Sequence, residues 1–169
     1  MSEGTDTSTA SANVTWLTQE AFDRLQAELD HLSGPARAEI SARIGAARAE
    51  GDLKENGGYH AAKDEQGTNE ARIRQLEEML SGATTEAAAD DQTVSAGKVV
   101  TYRYDGDDDE ESFLLGAREI AEDHTDIEVY SPESPLGLAL LGHKAGETVD
   151  FEQPNGRTAK IAIVSAVPF

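Results

Sequence analysis

One glycine-rich turn between two runs of heptad-spaced apolar residues constrains this chain more than any other feature. Before the turn, Phe22, Leu25, Leu29 and Leu32 recur at spacings of three, four and three, and Ile40, Ile44 and Ala47 repeat at four and three. After it, Ala62, Gln66, Asn69, Ile73, Leu76 and Leu80 keep alternating fours and threes. That is the seam of a coiled coil. Between the runs, Glu50 to Tyr59 reads EGDLKENGGY, whose Gly51, Asn56, Gly57 and Gly58 break helical periodicity. Two helical runs joined by a tight turn lie antiparallel so that their seams meet. Ile44 is therefore expected near Gln66 and Ile40 near Asn69, with the turn as the tip. Thr18 is a suitable N-cap for the first helix. Ser33-Gly34-Pro35 predicts an interruption, with Pro35 opening a new helix. Tyr59 to Leu80 predicts a third helix, closed by Gly82.

From Gly97 the period changes. Lys98–Tyr104, Ser112–Leu115, Asp126–Tyr130, Glu147–Phe151 and Ala159–Val167 read as strands. Asp105-Gly106 and Asn155-Gly156 are hairpin turn signals, and Leu138 to His143 suits a short helix. The expected organisation is α+β: a polar tail at 1–13, an antiparallel coiled-coil domain at 14–82 with its acidic tip at 50–59, an acidic alanine-rich linker at 83–96, and a small β-rich domain at 97–169.

Composition narrows the function. The formal charge is −19 and cysteine is absent, which excludes disulfides and thiolate metal sites and argues against tight binding to bare nucleic acid. Residues 83–169 carry 18 acidic and 6 basic side chains, whereas 35–82 carry 9 and 7, so any polyanion contact belongs to the nearly balanced middle. Arg37, Arg43, Arg48, Lys54, Lys63, Arg72 and Arg74 are the candidates, and several also suit ion pairs along a helix. No apolar run reaches membrane-spanning length, and Met1 to Asn13 lacks the pattern of a signal peptide. A cytoplasmic protein is expected.

The tip carries the chemistry. Asp52 and Glu55 stand three residues apart, and across a tight turn both carboxylates can point outward. Such a pair ligates Mg²⁺ or activates water. Two carboxylates supply only part of the six-oxygen shell Mg²⁺ demands, so the tip resembles half a metal site. From spacing alone the simpler reading is a solvated turn, with Asp52 capping a helix. His31, His60, His124 and His143 lack metal-ligand spacing, and the acidic run Asp105 to Glu111 lacks the order of a calcium loop.

The string EGDLKENGGYHAAKDEQG (Glu50 to Gly67) resembles the signature of the Gre family of transcript-cleavage factors, closest to its GreA branch of actinobacterial type. Trp16-Leu17-Thr18, Arg72-Ile73 and Tyr130-Ser131-Pro132-Glu133-Ser134-Pro135-Leu136-Gly137 fit as well, and the resemblance spans about 14–169. It implies a coiled coil followed by an FKBP-like domain. It also implies a partner, bacterial RNA polymerase, whose secondary channel the coiled coil enters while the C-terminal domain docks at the rim. Asp52 and Glu55 match the family's tip acids, which stabilise a second Mg²⁺ shared with the polymerase and position the water that cleaves the 3′ end of backtracked nascent RNA. Ser134, Pro135 and Leu136 match the docking segment. The factor itself is then no enzyme, holds no metal alone, touches no membrane, and is expected to be a monomer when free. An inhibitor of the same fold would be expected to alter the tip acids, which are intact here. A coiled-coil scaffold or chaperone is the remaining alternative.

Overall fold

The computed structural model describes residues 14–52 and 54–169; the expected tail at 1–13 lies outside them. The chain divides into two units, 22–81 and 14–21 with 82–169. The first is helical and the second sheet-rich, as expected of an α+β chain.

Helix α1 (Gln19–His31), whose first three residues fall in the sheet-rich unit, passes through a π-type turn at Leu32–Ala36 into α2 (Arg37–Ala49). Thr18 caps α1, its Oγ1 accepting from Ala21 N at 3.2 Å. The interruption expected at Ser33-Gly34-Pro35 is thus a widened turn within a continuing helix. Pro35 has no N–H to donate, and its ring would crowd the carbonyl of an ordinary turn. Widening accommodates it, and side chains take up nearby carbonyls: Ser33 Oγ donates to Leu29 O at 2.7 Å, and Asn69 Nδ2 to Leu32 O at 3.0 Å. That second bond accounts for a buried Asn69 in an otherwise apolar seam.

The returning helix α3 runs Gly57–Ser81, roughly 38 Å at 1.5 Å per residue. Every seam position expected of it is buried or half-buried. Ile40, Ile44 and Ala62 form one cluster with Tyr59 packed against it. Ion pairs link the legs at Arg37–Glu70 and Arg43–Glu65. Gly82 follows α3 without the left-handed conformation of a glycine cap, and its carbonyl accepts from Thr15 N at 2.9 Å.

In the sheet-rich unit, β1 (Thr15–Trp16) pairs in parallel with β2 (Ala83–Thr84). Two-residue strands leave no periodic trace, and neither was expected. The main sheet holds β3 (Lys98–Tyr104), β4 (Glu111–Leu115), β5 (Glu128–Tyr130), β6 (Thr148–Glu152) and β7 (Thr158–Pro168) in the order β5-β4-β3-β7-β6. Only β4 and β5 are parallel. Gly106 and Gly156 take positive φ in the two expected turns. Alternate residues of β3 face inward, so Val100 and Tyr102 join Phe113, Leu115, Leu140, Ile161 and Ile163 in the core. Lys98 falls on the same inward row and is 1% exposed. Its ammonium reaches Asp91 Oδ1 at 2.5 Å and Thr93 O at 2.6 Å, which fastens part of the segment read as a linker. Val94, also in that segment, is buried in the core. The short helix α4 (Pro135–Leu140) starts three residues before the expected Leu138.

Candidate functional site: the acidic tip of the hairpin

The tip is built by the ends of α2 and α3. The last turn of α2 closes with Glu50 N on Ala47 O at 3.2 Å. Gly51 then takes φ +124, a conformation any side chain would strain. Asp52 Oδ1 accepts from Lys54 N at 3.0 Å, an Asx turn that steers the chain back. The residue that caps α3 is Asn56, whose Oδ1 accepts from Tyr59 N at 3.1 Å. Asn56 Nδ2 reaches across to Ala47 O at 2.7 Å, and Asn56 O accepts from His60 N at 3.2 Å. Tyr59 packs on the seam cluster, with the Arg48 guanidinium 5.9 Å from its ring centroid.

This arrangement leaves Asp52, Lys54 and Glu55 exposed. Asp52 commits one oxygen to the turn. The Glu55 carboxylate makes no hydrogen bond or ion pair with the described residues, so three of the four oxygens at the tip have no partner among them. Among the described residues, no group of three or more His, Cys, Asp or Glu side chains is placed to hold a metal ion. Two oxygen-bearing side chains, with no third ligand among the described residues, would leave most of the six oxygens that Mg²⁺ takes to come from outside.

Three of the basic candidates serve the hairpin itself. Arg37 grips Glu70 through two bonds of 2.8 and 3.0 Å, Arg72 grips Glu28 through 2.7 and 3.0 Å, and Arg43 meets Glu65 at 2.7 Å. Hydrogen bonding to these guanidiniums holds the Glu28, Glu65 and Glu70 carboxyls below their ordinary range. Lys63 donates to Gln66 Oε1 at 2.9 Å. Lys54 stands exposed between the two tip acids.

In the other unit, Ser134 caps α4: its Oγ accepts from Gly137 N at 3.1 Å and donates to Ser131 O at 2.6 Å. Pro135 takes the first turn of the helix. A Cβ at Gly137 would lie 2.3 Å from Ser131 O, so this turn requires glycine there. Leu136 is half-buried and packs against the core. Pro135 is exposed, as are Leu138, 62% exposed, and Leu141, 43% exposed. An open depression is lined by Arg118, Val129, Tyr130, Ser131, Glu133 and Ser134.

Sequence reasoning placed Asn56 in the turn but missed its capping of α3 and its bond to Ala47 O, and it missed Leu138 as an exposed position. Asn56 had a signal, a favoured capping residue three positions before Tyr59, hidden by the adjoining Gly57-Gly58. Leu138 had none, because a six-residue helix is too short to show which face is inward.

The family profile described as "Transcription elongation factor, N-terminal" matches residues 15–84, and that described as "Transcription elongation factor, GreA/GreB, C-term" matches 89–167. The chain is 56% identical over 161 residues to a transcription elongation factor GreA of Streptomyces coelicolor, covering 94% of this chain and 96% of that protein. It is 52% identical over 158 residues to a GreA of Rhodococcus erythropolis, covering 92% and 96%. Among solved structures, the GreA factor homolog Gfh1 of Thermus thermophilus aligns at 26% identity over 90% of this chain and 97% of that one, with a TM-score of 0.40.

Proposed function

This chain belongs to the GreA/GreB family of transcription elongation factors, and we propose that it enters the secondary channel of bacterial RNA polymerase and stimulates the polymerase's own cleavage of RNA in backtracked complexes. The observation that carries this reading is the tip: two exposed carboxylates on a turn whose backbone is tied at both ends, with three oxygens uncommitted to the described residues. Asp52 and Glu55 would hold a second Mg²⁺ jointly with the polymerase. That ion supplies charge neutralisation for the in-line displacement at phosphorus. The carboxylates also orient the attacking water and accept its proton. Lys54, beside them, offsets repulsion between the acidic tip and the phosphate backbone.

Docking is assigned to the sheet-rich unit, through the turn capped by Ser134 and Pro135. There Leu136 acts from behind, by seating α4 on the core, and Leu138 is the exposed apolar anchor. The factor acts in the bacterial cytoplasm, as a monomer when free, and has no nuclease activity of its own. Among the described residues no helix is long and apolar enough to cross a membrane.

The test is direct. Added to a defined backtracked polymerase complex with Mg²⁺, the protein should shorten the RNA and restore elongation. Incubated with the same RNA without polymerase, it should leave the RNA intact. RNA that stays full-length in the complex would overturn the reading, as would cleavage without polymerase.

A further inference from the structure

We propose that Asn56 is a positioning residue for the tip acids, acting as a strut that fixes the distance between the two helix ends from which Asp52 and Glu55 project. The inference rests on the cleavage reading above. One side chain performs two separable tasks. Its Oδ1 caps α3 through Tyr59 N at 3.1 Å, and its Nδ2 spans the base of the turn to Ala47 O in the last turn of α2 at 2.7 Å. The same carbonyl receives Glu50 N at 3.2 Å, so Ala47 O gathers both the outgoing and the returning strand of the turn. Between these anchor points the turn contains Gly51, the Asx turn of Asp52 on Lys54 N, and Glu55.

The cap alone would start α3 but would leave its end unlinked to α2. The strut closes a ring: Ala47 to Asn56 through the backbone, and Asn56 back to Ala47 through the amide. Asp52 and Glu55 lie on the backbone arc of that ring, so their spacing depends on the strut. Tyr59 reinforces the same junction, since its amide is held by Asn56, its ring packs on the Ile40–Ile44–Ala62 cluster, and Arg48 lies over its face. Among the described residues, no side chain from either leg holds a carboxylate on this arc, which makes the backbone ring the means by which the helices can orient the acids. A displacement of about 1 Å at reacting groups costs up to a hundredfold in rate, so a strut outside the chemistry still governs it.

The test separates the two tasks with Asn56→Ser, which retains a capping oxygen but cannot span to Ala47 O, and Asn56→Ala, which loses both. Cleavage is measured on backtracked complexes across factor concentration and across Mg²⁺, with Asp52→Asn alongside. Hydrogen exchange at the Tyr59 amide reports the cap. Asn56→Ser is expected to keep Tyr59 protected and the half-saturating factor concentration unchanged, while the saturated cleavage rate falls roughly tenfold and recovers partly at raised Mg²⁺. Asn56→Ala should lose Tyr59 protection and cleave no faster than Asn56→Ser. A wild-type saturated rate for Asn56→Ser with Asp52→Asn impaired would overturn the strut and leave the tip reading standing. A deficit in Asn56→Ser that higher factor concentration abolishes would also overturn it, because the loss would then be one of binding. Wild-type rates for both Asn56→Ser and Asp52→Asn would overturn the tip reading itself, and the strut with it.

Discussion

The helical hairpin and the sheet-rich unit are stabilised in different ways. Buried apolar side chains in the hairpin form a narrow seam, small near the tip with Ala47 and Ala62, and polar at Asn69. Three arginine–glutamate pairs lie along it, each with about a third to a half of its side chains exposed. The sheet-rich unit instead gathers Val100, Phe113, Leu115, Leu140 and Ile161 into one contiguous core. The difference shows how a chain can carry uncompensated charge at one place and remain folded. A seam two helices wide needs nothing packed at its end, so the tip can present bare carboxylates without the desolvation cost that buried charge incurs. A sheet with a full core can hold a capped turn and an exposed leucine in fixed positions, as the proposed docking requires.

Substitutions in the two units sharpen this comparison when each is read by its own signal. Trp16, the single tryptophan, belongs to the sheet-rich unit, whereas most of the helical ellipticity arises in the hairpin. The largest effect on stability is expected from Phe113→Ala, which removes a fully buried ring in contact distance of Tyr102 and Tyr130. It should cost about 3–5 kcal/mol and lower the Trp16 fluorescence midpoint more than the helical one. Equal shifts in both would break the distinction between the regions.

Next is the buried Lys98. Asp91→Asn strands an ammonium that is 1% exposed, whereas Lys98→Met removes the charge and retains the stem. Asp91→Asn is therefore expected to destabilise more than Lys98→Met in denaturant unfolding. The reverse order would mean that the ion pair contributes little beyond packing.

A smaller effect is expected of pH on the hairpin. Glu28, Glu65 and Glu70 are held below their ordinary value of 4.5 by their arginines. Carboxyls with depressed folded values contribute stability that is complete above the unfolded value and is lost as pH falls through the folded one. The helical midpoint should thus decline as pH drops below about 4.5, and added salt should weaken the same pairs. A midpoint insensitive to both would remove the arginine–glutamate pairs from the hairpin's stability. The smallest change in stability belongs to Leu138→Asp, since the side chain is exposed. It should leave both midpoints in place while weakening polymerase binding, whereas Leu136→Asp should also lower the Trp16 midpoint.

Much of this was legible in the sequence, for physical reasons that differ by element. The seams of α1, α2 and α3 follow from their period, and β3 is recovered from Lys98 to Tyr104 because β-branched and aromatic residues dominate Val99 to Tyr104 up to the Asp105-Gly106 turn. The tip was legible because Gly51 and Asn56 carry turn chemistry whatever surrounds them. What escaped was set by distant partners. Pro35 reads locally as a stop, and only Asn69 on the other leg shows how the helix continues through it. The cross-leg pairs Arg37–Glu70 and Arg43–Glu65 join residues far apart in the chain, which a seam pattern alone does not name. The pairing of Thr15–Trp16 with Ala83–Thr84 joins segments too short to have a period.

The measurement that bears most directly on the tip is single-turnover cleavage in a backtracked complex with a double variant, Asp52→Asn with Glu55→Gln, compared at saturating factor with the wild-type protein. Both changes keep size and remove charge. The expected result is normal competition for polymerase with stimulated cleavage reduced by roughly tenfold or more, each factor of ten corresponding to about 1.4 kcal/mol of transition-state stabilisation. A double variant that binds normally and cleaves at the wild-type rate would contradict the assignment and leave Asp52 and Glu55 as ordinary residues of a solvated turn.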